Sequence, residues 1–213
     1  MRILPSLRTL VLLSACSTAL CGAEPIYKND FQSAEVGKLP DSFMVMSGDF
    51  KVKEEAGKKF LELPGSPLDT FGLLFGPSQP AGGSASAKFF GTKVGRKYPA
   101  FGVSMGGVGG YRVQVSAAKK ELEIFKGDEA HVSVPFTWES GVWTSVKIQI
   151  RKTGNGWVVE GKAWLANAPE PAEWLIHEEE KDAPPAGRAA IWGSPYSGTP
   201  IRFGDFLLEA PAP

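Results

Sequence analysis

Apolar and polar residues alternate with a period of two through the middle of the chain. Tyr111, Val113 and Val115 alternate with polar neighbours, and the runs at residues 121–126 and 146–151 repeat the pattern. This period predicts antiparallel strands that turn one face toward a core and the other toward water. No long window has the 3.6-residue period of an amphipathic helix, so the pattern favours an all-β fold.

Turn-forming residues divide the rest of the chain into short segments. The 213 residues include 25 glycines and 17 prolines, a share that favours short strands joined by turns. Further β-patterned runs lie at residues 44–53, 59–63, 70–75, 84–92, 157–164, 188–192 and 201–209. The run at 70–75 is expected to end at Gly76-Pro77, and Asn155-Gly156 predicts a hairpin turn. We predict one all-β domain over residues 24–213, a two-sheet antiparallel jelly-roll sandwich of about a dozen strands.

Residues 1–23 have the pattern of an export signal. Two arginines precede an apolar stretch that is too short to span a membrane. Small residues then predict cleavage after Ala23 and an exported product, either periplasmic or secreted. A second interpretation stays open, because residues 13–16 resemble a lipobox in which Cys16 is lipidated. Cleavage after Ala23 would remove both cysteines of the chain, Cys16 and Cys21, and with them any disulfide.

The charge balance bears on the kind of partner. The chain carries 23 basic and 23 acidic residues, whereas nucleic-acid-binding domains have a marked basic excess. We therefore expect no nucleic-acid partner, and the sequence predicts no transmembrane helix.

Short motifs are spread along the whole predicted domain. They are Asn29-Asp30-Phe31, residues 36–40 and 47–52, Trp143-x-x-Val146-x-Ile148, Lys162-Ala163-Trp164 followed by Pro171-x-x-Trp174, residues 187–192, and Phe203-Gly204-Asp205-Phe206. Together they resemble the concanavalin A-like, LamG-type jelly rolls of exported bacterial proteins. The resemblance implies the sandwich fold. It leaves the activity open, because that superfamily includes lectins, glucanases, keto-disaccharide hydrolases and modules without enzymatic activity.

The carboxylates give little support for catalysis. Glycoside hydrolysis usually needs two of them on one face of a site, and the E-x-D-x-E motif of laminarinase-type jelly rolls is absent from the sequence. Glu121 and Glu123 share a strand face that we interpret as the solvent face of a hairpin. The three glutamates at 178–180 are expected in a solvated loop, because like charges resist burial together. The sequence thus predicts no catalytic residue.

The aromatic residues give the better lead. Sugar sites stack apolar sugar faces on aromatic rings and bind the hydroxyls through polar neighbours. Trp143 is expected in the core, and Trp164 and Trp174 are expected to be buried and to pack together around a proline-rich loop. Trp192 and Tyr196 instead flank a loop between the last two strands, where aromatic rings are more often exposed.

These observations lead to a binding hypothesis. Arg112 and Gln114 are predicted to face outward from a strand and to offer polar groups to a ligand. The leading prediction is an exported, non-catalytic module that binds glycan or another surface ligand through Trp192, Tyr196, Arg112 and Gln114. A glycoside hydrolase of the keto-disaccharide type and a structural envelope domain remain as alternatives.

Two aspartates suggest a structural metal. Asp30 and Asp205 each precede a phenylalanine near opposite ends of the domain, and the first and last strands of a jelly roll commonly run side by side. Two nearby carboxylates repel unless a cation lies between them, and calcium prefers such oxygen ligands. No other cofactor is expected. The alternatives are that each aspartate caps a turn, or that Lys28 or Arg202 neutralises the pair.

Overall fold

Two antiparallel sheets make up the described part of the protein, residues 25–66 and 69–211 of a computed structural model. The predicted leader and Cys16 lie outside these residues. The strands are β1 (Pro25–Asn29), β2 (Met44–Ser47), β3 (Lys51–Glu55), β4 (Lys58–Leu63), β5 (Phe71–Gln79), β6 (Gly83–Phe90), β7 (Ala100–Met105), β8 (Tyr111–Ser116), β9 (Glu121–Lys126), β10 (Glu129–Pro135), β11 (Thr144–Thr153), β12 (Gly156–Leu165), β13 (Ile176–Glu180), β14 (Gly187–Ser194) and β15 (Ile201–Glu209). No helix occurs in this part of the chain, and the predicted all-β class is confirmed.

The strand order is that of a two-sheet sandwich. Sheet 1 runs β13-β12-β11-β6-β15-β4-β3, and β1 also pairs with β15. Sheet 2 runs β10-β9-β8-β7-β14-β5-β2. Some consecutive strands, such as β14 and β15, lie in opposite sheets, whereas others, such as β11 and β12, pair within one sheet.

The core lies between the sheets and consists of the apolar members of each alternating run. Val113 of β8, Ile124 of β9 and Ile148 of β11 are all 0% exposed. Aromatic rings join the two layers: Phe89 of sheet 1 stacks on Phe101 of sheet 2, with ring centroids 4.9 Å apart. The period-two pattern therefore predicted the buried face correctly.

One strand boundary differs from the prediction. The strand expected to end at Gly76-Pro77 continues as β5 to Gln79. Gly187 of β14 pairs with Gln79, and Ala189 pairs with Phe75. Residues 76–78 of β5 therefore lie opposite the single residue Arg188 and form a bulge in β5. A proline has no N–H to donate, but a bulge tolerates it because the regular ladder is already interrupted there.

The hairpin between β11 and β12 is confirmed. Thr153 pairs with Gly156, so Gly154 and Asn155 form the turn.

The three glutamates at 178–180 contradict the expectation of a solvated loop. They belong to β13, which pairs with β12 at the edge of sheet 1. Glu178 and Glu180 are half-buried because cationic and polar groups of sheet 2 meet them there. His131 Nδ1 lies 2.7 Å from Glu178 Oε1, Lys126 Nζ donates to Glu180 Oε1 at 2.8 Å, and the Tyr111 hydroxyl donates to the same oxygen.

This cluster shifts the protonation of its members. Burial alone would raise the pKa of Glu180, but the hydrogen bonds from Lys126 and Tyr111 outweigh it, and the pKa is lowered. Burial, together with the hydrogen bond to Glu180, raises the pKa of Tyr111 to about 12. The carboxylate is therefore held in its charged form, and the cluster links the edges of the two sheets.

Candidate ligand-binding face

The outer face of sheet 2 gathers aromatic and polar side chains from several strands. We call it the polar–aromatic face, and it comprises Thr70, Ser104, Arg112, Gln114, Phe125, Trp192, Ser194 and Tyr196. Arg112 and Gln114 point away from the core because Val113 and Val115 point into it, as the alternation predicted. The four residues predicted to bind a ligand thus lie on one face of one sheet. Their role in binding stays a prediction.

Glycines flank Trp192 on both neighbouring strands. Trp192 of β14 lies opposite Gly72 of β5 and opposite Gly102 of β7. A Cβ atom at Gly72 would lie 3.0 Å from the indole ring, so the missing side chain makes room for it. The indole Nε1 donates to Ser104 Oγ at 2.9 Å, which fixes the ring orientation.

Tyr196 extends this face at its end. Its side chain is 40% exposed, and its backbone N–H donates to the Ser194 carbonyl at 2.8 Å. Its hydroxyl lies 3.2 Å from Thr70 Oγ1, which in turn lies 2.8 Å from Ser194 Oγ. The ring is therefore held in place while it remains accessible, as the loop position predicted.

Arg112 is the most unusual residue on the face. It is only 8% exposed, although it lies on the outside of the sheet. Its guanidinium carbon lies over the Phe125 ring at 4.4 Å from the centroid and over the Trp192 ring at 5.0 Å. Burial lowers its pKa, against the Coulomb attraction of Asp128, Glu123 and Tyr196.

Glu123 is buried, so its interpretation as a solvent-facing residue was wrong. It is 2% exposed, because Ser116 donates to its Oε2 and the Lys119 ammonium lies 2.8 Å from its Oε1. Gln114 Nε2 donates to Ser116 Oγ at 3.0 Å and continues this chain of hydrogen bonds. Both oxygens of this carboxylate are thus already paired.

The outer face of sheet 1 is different, because its charges are paired with one another. The pairs include Lys88–Asp205 at 2.6 Å, Lys147–Glu209 at 3.0 Å, Lys162–Glu170 at 2.8 Å and Arg151–Glu160 at 2.9 Å. Lys162 also lies over the Trp174 ring at 4.4 Å. Such a network satisfies its own charged groups and leaves little for a ligand to complete.

Trp164 and Trp174 are half-buried and lie outside the buried core, contrary to expectation. Trp164 lines a cavity on the outer face of sheet 1, and Trp174 packs on Lys162. The proline-rich loop is held partly by Lys162, whose ammonium donates to the Pro171 carbonyl at 2.7 Å. Trp143, also half-buried, packs against Phe90 with ring centroids 5.6 Å apart.

The two aspartates predicted to hold calcium come close, as the strand pairing required. β1 pairs with β15, with Asn29 opposite Phe206, and Asp30 and Asp205 line the same cavity of about 300 Å³. Lys88 provides the counter-charge to Asp205, which neither Lys28 nor Arg202 was found to do. Asp30 Oδ1 accepts a hydrogen bond from the Gln32 N–H at 3.0 Å and so caps a turn. Calcium binding stays a prediction.

One further cluster offers metal-ligand atoms. Those of His131, Glu178 and Glu180 lie within 4.8 Å of one another. Lys126 and Tyr111 already donate to Glu180, however, and an ammonium beside this carboxylate opposes a second cation. The donor set therefore fits a cluster of salt bridges better than a metal centre.

Sequence reasoning missed several members of the face. Phe125 could have been predicted, because it is two residues from Glu123 on β9 and therefore lies on the same outward face as Glu121 and Glu123. Ser104 and Thr70 carried no signal, since their place beside Trp192 and Tyr196 depends on the strand order of sheet 2.

The fold matches those of known carbohydrate-binding proteins, although no protein-family model and no curated protein matches the sequence. The carbohydrate-binding module CBM66 from Bacillus subtilis is 11% identical with a TM-score of 0.56 over 79% of this chain and 96% of that one. The Emp47p carbohydrate recognition domain is 8% identical with a TM-score of 0.60 over 92% and 100%. Lectin II from Ulex europaeus is 12% identical with a TM-score of 0.54 over 89% and 100%. The chain has a concanavalin A-like jelly-roll fold.

Among the residues that the structure describes, no helix is long and apolar enough to cross a membrane.

Proposed function

We propose that this chain is an exported, non-catalytic β-sandwich module that binds glycan through the polar–aromatic face. The observation that carries the proposal is the setting of Trp192, which has glycine on both neighbouring strands and Tyr196 at the end of the same face. The indole and phenol rings offer surfaces for an apolar sugar face, while Gln114, Ser194 and Thr70 offer hydrogen bonds to hydroxyls.

The structural neighbours support this proposal. Their names describe a carbohydrate-binding module, carbohydrate recognition domains and a lectin complexed with galactose. The contrast between the two outer faces supports it as well, because the charged groups of sheet 1 are paired with each other. On the polar–aromatic face, by contrast, the buried Nε of Arg112 has no hydrogen-bond partner among the described residues.

Replacing Trp192 or Tyr196 with alanine should weaken glycan binding. We expect each substitution to lose about 1–2 kcal/mol of binding free energy, roughly a 5- to 30-fold rise in Kd, because a stacking surface is removed. A glycan array identifies the ligand, and isothermal titration calorimetry measures the affinities. Thermal melts of both variants should stay close to that of the parent protein.

Trp164→Ala is the matched control, since Trp164 is a half-buried tryptophan on the opposite outer face. It should leave the affinity unchanged. Loss of binding in Trp164→Ala, with binding retained in Trp192→Ala, would move the site to sheet 1. Any glycan that binds is then incubated with the protein, and release of reducing sugar would contradict a non-catalytic role and favour the hydrolase.

Export is part of the same proposal and rests on residues 1–23. The mass of the protein recovered from its producing cell distinguishes the two modes of processing. Cleavage after Ala23 predicts a chain that begins at Glu24. A lipidated chain that begins at Cys16 would instead show an anchored module. Retention of the full 213-residue chain in the cytoplasm would refute export.

We also propose that Asp30 and Asp205 bind a structural calcium ion. A ligand that binds only the native state raises its stability, so chelation with EDTA should lower the melting temperature and added calcium should restore it. An unchanged melting temperature in both steps would contradict calcium binding and leave Lys88 as the counter-ion of Asp205.

A further inference from the structure

Arg112 is a buried cation without a hydrogen-bond or salt-bridge partner among the described residues. The residue is 8% exposed, and its Nε atom is buried and has no hydrogen-bond partner. Within residues 25–66 and 69–211, neither a hydrogen bond nor a salt bridge joins its guanidinium to another side chain. Burying a charge is unfavourable unless the charge is paired, so a side chain left in this state calls for an explanation.

The surroundings hold this cation in place without neutralising it. Phe125 contacts it from the adjacent strand β9, and Trp192 from β14, which lies beyond β7 on the other side; the indole is fixed by its hydrogen bond to Ser104. Cation–π contacts offset part of the lost hydration and leave the N–H donors of the guanidinium free. The result is a preorganised group, which reduces the entropy that a ligand loses on binding.

The buried carboxylate on the outer face of sheet 2, Glu123, has other partners. Asp128 and then Glu123 contribute Coulomb attraction to Arg112, but neither forms a salt bridge with it among the described residues, and the two oxygens of Glu123 are bonded to Ser116 and Lys119. On sheet 1, by contrast, Arg151 binds Glu160 through both Nε and Nη2, at 2.9 and 3.0 Å. The same residue type is therefore neutralised internally on one face and left unpaired on the other.

We infer that the glycan bound by the polar–aromatic face is acidic, and that Arg112 binds the oxyanion of a uronate or a sulfated sugar ring. This inference rests on the proposed function and deepens it. A guanidinium matches a carboxylate or sulfate with two parallel hydrogen bonds, and an anion here would supply the missing partner. Trp192 and Tyr196 would stack on the sugar while Arg112 selects its charge.

The test compares three oligosaccharides of similar length: oligogalacturonate, sulfated carrageenan oligosaccharide and neutral laminari-oligosaccharide. We expect the purified protein to bind an acidic one at least tenfold more tightly than the neutral one, and this preference should weaken as salt is added. Arg112→Gln should lose at least tenfold in affinity for the acidic ligand. The matched control, Arg151→Gln, should keep the parent affinity.

The outcomes separate this inference from the proposed function. Preference for the neutral sugar, or full acidic affinity in Arg112→Gln, would overturn the role of Arg112 while Trp192-dependent glycan binding still stood. If none of the three sugars binds and the glycan array shows no ligand, both the acidic-glycan inference and the proposed glycan-binding function are wrong. The relative affinities of the uronate and the sulfated sugar identify which oxyanion the site takes.

A measurement without ligand tests the unpaired charge itself. Arg112→Met keeps a long apolar side chain between the two rings and removes the charge. Replacing an unpaired buried charge that serves binding should leave the melting temperature equal or higher. A clear fall would show that the guanidinium stabilises the fold, and would overturn its assignment to a ligand.

Discussion

Replacing Phe206 with alanine should lower the free energy of unfolding by about 4 kcal/mol, one of the two largest effects expected in this protein. The ring is 0% exposed. Its centroid lies 4.8 Å from that of Phe75 in sheet 2 and 5.1 Å from that of Phe31. Its removal leaves a cavity where the first and last strands meet the opposite sheet.

Urea unfolding followed by tryptophan fluorescence measures this change. Leu207→Ala is the matched control, because Leu207 is the next residue of β15 and points to the outer face of sheet 1. It should lose about 1 kcal/mol or less. Equal losses in the two variants would show that Phe206 is not part of a rigid core.

The substitution Gly161→Val should be destabilising by about 3 kcal/mol, for the opposite reason. Gly161 of β12 faces the other sheet, where a Cβ atom would lie 2.6 Å from Val113 Cγ2 and 2.9 Å from Ile176 Cγ2. Both neighbours are branched and fully or almost fully buried, so neither has room to move. Added volume at this position would push the sheets apart.

A double-mutant cycle identifies the cause. Val113→Ala removes the two methyl groups that meet the new side chain, so the combination with Gly161→Val should be more stable than the sum of the single effects predicts. Gly154→Ala is a control in open space, with no heavy atom within 4 Å of the added Cβ. Additive losses in the cycle would contradict a clash with Val113.

The sequence was sufficient for the all-β class and for the buried strand faces, because the information on both is local. Alternation of period two marks which residues of β8, β9 and β11 face the core, and turn residues mark where the strands end. One exception is β5, which continues past Gly76-Pro77 because its own residues 76–78 bulge opposite Arg188 of β14; another is β13, whose glutamates were expected in a loop. The bulge in β5 depends on β14, which is distant in sequence.

The site was predicted only in part, because burial on an outer face depends on strand order. Alternation correctly turned Arg112 outward, but it could not show that Phe125 and Trp192 would cover it. Glu123, Glu178 and Glu180 were expected in solvent for a related reason: the groups that pair with Glu178 and Glu180 come from another sheet. Likewise Lys88, which neutralises Asp205, lies on β6, far in sequence from the motifs that contain the two aspartates.

The pairing of β1 with β15 determines how the module can be carried by a larger assembly. Pro25 lies opposite Glu209, so the chain enters and leaves the sandwich side by side, on sheet 1. A tether attached at either point is joined to sheet 1, whereas the polar–aromatic face belongs to sheet 2. The module can thus hang from a single stalk, or sit within a loop of a host protein, while its outer face on sheet 2 stays turned toward the surroundings.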